Sequence, residues 1–295
     1  MIEEKTVNEP VQVEKSKMGI KRQFTQVIDT MYFELRRNWI KSILMLAFYI
    51  GVFLLYFFIN EIQEAQGVEM PDDPEDYILT YLSMIGTLII ISTAAIGGSI
   101  IAEDFQKHTG NLIFPKISKN RLLTGRLIVR YGFNAIFICV YYTLIAIATD
   151  YKYDEIPETL LDSMGWALLY TFAIFTFVVF LSSINKSPSA AIVISILFLL
   201  VVAHIVEMLL FNMNLDEEPL FLITYYEKII AASLDMPNPR YEEVSLASPQ
   251  DGEFIEFKRW LTPSKIGALS GLLAFSSLFL IAAYVIYMIR QSKNE

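Results

Sequence analysis

Few residues of this chain are equipped for chemistry, and they fall in two places. His204 and Glu207 stand three positions apart in an apolar run, on one helix face, where an imidazole and a carboxylate could bind an ion or a polar substrate. Counted from Ser187, they lie roughly 26 Å and roughly 30 Å along that helix. The pair is read as candidate pathway or outer-gate residues, with a hydrated helix end as the plainer alternative. The second place is 102–130, where Lys107, Lys116, Lys119, Arg121, Arg126 and Arg130 face only Glu103 and Asp104. Its centre is patterned as a short helix: Thr109 suits an N-cap, Leu112, Ile113 and Phe114 give an apolar face, and Pro115 ends the turn. Ser118 can cap the helix that follows. A short helix lying across a membrane hairpin is a docking surface, and His108 fits that surface better than a ligand set.

Other chemistry is sought and not found. No Gly-x-x-x-x-Gly-Lys-Ser/Thr loop occurs, so the chain is not expected to hydrolyse ATP alone. There is no His-Glu-x-x-His and no nucleophile elbow, and the lone Cys139 excludes an intramolecular disulfide. The apolar runs carry almost no ionisable groups, which argues against a proton- or sodium-driven carrier.

The elements that must position these residues are membrane helices. The 295 residues are 54% hydrophobic, with a mean hydropathy of +0.45. Six apolar stretches, 42–59, 78–101, 131–149, 163–185, 187–206 and 266–289, are long enough to cross the roughly 30 Å hydrocarbon core. The net charge of −9 conceals an asymmetry. With the N-terminus inside, only Lys152, Lys228, Arg240, Lys258, Arg259 and Lys265 fall outside, out of 23 Lys and Arg. The positive-inside rule therefore places both termini and the 102–130 loop in the cytoplasm.

Residues 1–19 read as a disordered cytoplasmic tail without a secretory signal peptide. Over 20–41, Ile20, Phe24, Val27, Ile28, Met31 and Leu35 recur at helical spacing among Lys21, Arg22, Arg36, Arg37 and Lys41, the pattern of an amphipathic entry helix in the interface. The alternative is a cytoplasmic extension of span one. Spans one to five occupy 42–211, with the loop 102–130 between spans two and three. Ser92 to Ser99 is rich in small residues, which puts span two at the centre of the bundle. Ser187 and Pro188 start span five. The segment 212–264 is extracellular. Within it, 219–234 reads as an interfacial or re-entrant helix, 237–252 as a turn-rich loop, and Phe254, Phe257, Trp260 and Leu261 as a second amphipathic element. Span six and a short tail fill 265–295, with Thr262-Pro263 as cap and Gly267 and Gly271 as a packing face. The fold class is an all-α membrane protein of six transmembrane helices.

The loop resembles the type 2 ABC exporter permeases. In that family span two leads into an acidic residue, a Gly-Thr turn, a leucine-rich coupling helix, a proline and a Ser-Arg-like start to span three. The matching positions are Glu103, Thr109-Gly110, Leu112-Ile113-Phe114, Pro115, Ser118 and Arg121, closed by Gly125-Arg126. Thr-Gly in place of Gly-Thr and Phe114 in place of leucine are departures. Glu34, Leu35 and Arg36 resemble the family's entry into span one. The resemblance implies a permease in a prokaryotic plasma membrane that exports an apolar or amphipathic substrate. It implies pairing with a second permease copy or homologue and docking, through Glu103, His108, Thr109, Gly110, Leu112, Ile113, Phe114, Pro115 and Arg121, on cytoplasmic ABC ATPases that hold ATP and magnesium. The chain itself would bind no cofactor, and its remaining contacts would be with membrane lipid, not nucleic acid. Two other classes are open: a non-transporting anchor or assembly subunit, and an intramembrane enzyme, for which only His204 is available at depth.

Overall fold

The computed structural model describes residues 20–106, 119–211, 218–247 and 254–292. Six helical segments in these ranges are long and apolar enough to cross a membrane. The first is one helix, Ile20–Ala65, with no turn where 20–41 was expected to swing from the interface into span one. No proline or glycine interrupts 20–41, and the charges there lie within continuous helix. Span three likewise begins well before its apolar run, as Lys119–Tyr153. Spans four and six are Thr159–Ile184 and Lys265–Ser292.

Spans two and five are not uniform helices. Span two is built of Pro74–Leu82, Ile85–Gly97 and Ala102–Phe105. Each break frees backbone groups that hydrocarbon cannot satisfy, and side chains of neighbouring spans take them up. At the first break the Tyr141 hydroxyl donates to the Tyr81 carbonyl at 2.8 Å. At the second, Ser182 Oγ accepts the amides of Ile101 and Ala102, each at 3.1 Å. Span five runs from Pro188–Leu197 through a π-helical turn, Phe198–Val202, into Ala203–Phe211. Ser187 occupies its N-cap position without a side-chain hydrogen bond.

Span two is the centre of the bundle, as its small residues predict. Its most apolar window is 78% buried, against 17% for span one and 22% each for spans five and six. A Cβ on Gly97 would lie 3.2 Å from Phe175 and Val178 of span four, and one on Gly98 would lie 2.7 Å from Ile192 of span five. Span six packs chiefly on span four, and span one on span three.

The stretch between spans five and six departs from expectation. Among its described residues the helical turns are short, Ile223–Glu227 and Lys228–Ala232, and they carry Tyr226, Ile229 and Ile230 into the main core. The turn-rich loop and second amphipathic element are instead an antiparallel hairpin, β1 (Tyr241–Ala247) with β2 (Phe254–Trp260). The register runs from Tyr241 opposite Trp260 to Ala247 opposite Phe254. Ser264, not Thr262-Pro263, caps span six: the Gly267 amide donates to Ser264 Oγ at 3.0 Å. The glycine face of span six receives this segment, since a Cβ on Gly271 would lie 2.0 Å from the Tyr226 hydroxyl oxygen.

Candidate functional site: a buried charge network at the roots of the span two–three loop

Span one hides a polar stripe beneath an apolar exterior. Thr30, Glu34, Asn38 and Ser42 recur at four-residue spacing and are all buried, whereas Phe24, Ile28 and Leu35 are exposed. The stripe meets Arg126, Arg130 and Asn134 of span three, again four apart and buried. The two helices approach closely at Gly125, where a Cβ would lie 2.9 Å from the Thr30 side chain.

Glu34 is the hub. Its carboxylate lies 2.7 Å from Arg37, 3.2 Å from Arg126 Nε and 3.2 Å from Arg130. Asn38 Nδ2 donates to it at 2.9 Å. The contact with Arg126 Nε is a charge contact outside hydrogen-bonding geometry. Arg126 spans outward to Asp104, donating from Nη1 to both carboxylate oxygens at 2.8 Å. Arg130 reaches Glu103 at 3.4 Å, and Arg37 closes the circuit on Glu103 at 2.8 Å. Tyr287 of span six donates to Asp104 at 3.2 Å.

Three carboxylates thus face three guanidinium groups, and the network is formally neutral. Neutrality is what makes it tolerable at this burial, because an unpaired ion there would be costly. The arginines also serve the second break of span two: Arg130 donates to the Ile96 carbonyl at 2.8 Å, and Arg126 to the Ile100 carbonyl at 3.0 Å. Arginine fits both tasks because its planar fork carries several donors at once. The result ties together spans one, two, three and six where the 107–118 loop leaves span two and rejoins span three.

Of the residues predicted from sequence to face an ATPase, Glu103 lies in this network, and Arg121 donates to Gln26 of span one at 2.6 Å. His108, Thr109, Gly110, Leu112, Ile113, Phe114 and Pro115 lie outside the described residues. Arg126 and Arg130, read from sequence as part of a basic cytoplasmic loop, are buried and paired inside the bundle. These charges lie in the helical extensions beyond the apolar runs, where they balance one another across helices. Asp104, Arg37 and Tyr287 were missed as site residues.

His204 and Glu207 are not a matched pair. His204 Nδ1 lies 3.1 Å from the Leu199 carbonyl, within the π-helical turn. Glu207 is buried and pairs with Lys228 at 2.7 Å. Among the described residues, no group of three or more His, Cys, Asp or Glu could hold a metal ion.

The six apolar helices and the buried, internally neutral polar seam define a multi-pass α-helical membrane protein. A family described as ABC-2 family transporter protein matches residues 60–226, more than half of the chain. The chain belongs to the ABC-2 transporter family, and is a membrane permease of that kind. No curated protein matches it.

Proposed function

We propose that this permease exports an apolar or amphipathic substrate through the plasma membrane of a prokaryotic cell, driven by ATP hydrolysed on separate ABC ATPase subunits. The observation that carries the reading is the charge network at the two roots of the 107–118 loop. A partner pushing on that loop would act directly on Asp104 and Glu103 at one root and on Arg126 and Arg130 at the other. Through them it would reach spans one and six, so a displacement at the loop becomes a rearrangement of four spans. A second ion-pair arrangement of these groups would make the network a bistable element that nucleotide binding elsewhere can bias.

The loop carries Leu112, Ile113 and Phe114 as an apolar docking face, with Thr109 and Pro115 bounding it. The excess of Lys and Arg at this end supports placing it, and both termini, in the cytoplasm. Spans one, five and six expose large apolar residues, among them Leu55, Phe58, Val193, Leu197, Leu278 and Ile281. Such faces suit lipid and a second permease copy. ATP and magnesium belong to the partner in this reading, and this chain holds no cofactor. The test is whether an ABC ATPase, recognised by its phosphate-binding loop, co-purifies with the intact chain and is lost when the apolar face of the loop is truncated.

A further inference from the structure

At the end of the bundle remote from the charge network, the turns Ile223–Glu227 and Lys228–Ala232 are wedged among the spans by two side chains that enter at glycines. Tyr226 enters at Gly271 of span six. Glu227 enters at Gly86 of span two, where a Cβ would lie 1.9 Å from its carboxyl carbon. The Tyr170 hydroxyl of span four donates to Glu227 Oε2 at 3.4 Å. Ser163 of span four adds a hydrogen bond to the Ile230 carbonyl at 2.8 Å.

We propose that Glu227 is a proton-binding latch: as a neutral carboxyl it pins segment 218–234 onto spans two and four, and its ionisation releases that segment.

The groups that face Glu227 decide the sign. Span two presents the uncharged Gly86, and span six presents Gly271 and Phe275 to the same segment. Span four offers the Tyr170 hydroxyl, and span five contributes His204 and Glu207. Lys228, the nearest cation in sequence, is paired with Glu207 at 2.7 Å. Burial pushes the Glu227 carboxyl above its ordinary value and the Glu207 charge adds to this, while His204, Tyr170 and Lys228 pull it down. Glu227 as a whole is half-buried, with its carboxyl set against Gly86. A carboxyl held above its ordinary value stabilises the closed segment fully below the ordinary value. That stabilisation is lost as pH rises through the closed-state value. Ionisation transfers the proton to solvent and leaves a carboxylate against Gly86, beside the carboxylate of Glu207, and outward movement of the segment relieves both burdens.

The experiment is hydrogen exchange of the full chain in lipid nanodiscs from about pH 5 to about pH 9, corrected for intrinsic exchange. In the wild type, protection over 223–234 should fall about tenfold per pH unit, flattening above the closed-state value. Glu227→Gln should keep high protection across the range. Tyr170→Phe removes a donor to the carboxylate and should move the fall to higher pH. His204→Gln removes another downward pull and should likewise move the fall to higher pH without abolishing it. Constant protection in the wild type, the same fall in Glu227→Gln, or loss of the fall in His204→Gln would each overturn the latch.

Discussion

Arg126 presents one guanidinium nitrogen to both oxygens of Asp104 at 2.8 Å, and both side chains are almost entirely shielded from solvent. The bond links the last turn of span two to span three across the base of the 107–118 loop. Removing one partner strands the other. Arg126→Met should lower stability by about 3–5 kcal/mol, the usual cost of breaking a buried pair. Arg126→Met combined with Asp104→Leu should recover part of that loss. A double-mutant cycle on the unfolding midpoint in detergent would check it, and strictly additive effects would show that the pair is not coupled.

Ser182 should matter more than a serine in a membrane helix usually does. It accepts two amides freed by the second break in span two. Ser182→Ala leaves both without that acceptor, at about 1–3 kcal/mol for each buried group left unsatisfied. Faster hydrogen exchange at Ile101 and Ala102, with little change in span three, is the expected signature.

The apolar framework was largely legible in the sequence, because about 18 or more uncharged residues leave few alternatives to a span. The helix limits were not. Reading each run only up to its nearest charge truncated spans one and three, since Glu34, Arg126 and Arg130 are paired with one another and a single sequence shows no such pairing. A signal was nevertheless present: Thr30-Glu34-Asn38-Ser42 and Arg126-Arg130-Asn134 are polar stripes at a spacing of four, which mark facing helix surfaces. The strand hairpin was missed because short aromatic and charged stretches satisfy an amphipathic helix and a paired ribbon equally well.

Gly271 is a seat for Tyr226, not simply a contact between helices. Gly271→Ala should cost about 1–3 kcal/mol through overpacking. Tyr226→Ala in the same chain should relieve the clash, so the double variant should fall short of the sum of the singles. Equal and additive losses in thermal unfolding would contradict this seating.

The orientation proposed from the placement of Lys and Arg can be read directly. In a Cys139→Ala background, single cysteines at positions 70 and 245 should react with an impermeant maleimide in intact cells. Cysteines at 118 and 186 should react only after lysis. Reaction at 118 from outside would invert the assignment.

The most direct test of the coupling reading is the double variant Leu112→Ala, Phe114→Ala. It leaves the described charge network and all six spans untouched. Truncating buried apolar contacts costs roughly 2–5 kcal/mol in a core, and the lower part of that range at a docking surface still weakens association tenfold or more. The chain should insert with unchanged thermal stability, yet lose its co-purifying ABC ATPase or retain one whose hydrolysis no longer drives transport. Full ATPase association together with wild-type transport would contradict the coupling role assigned to this loop.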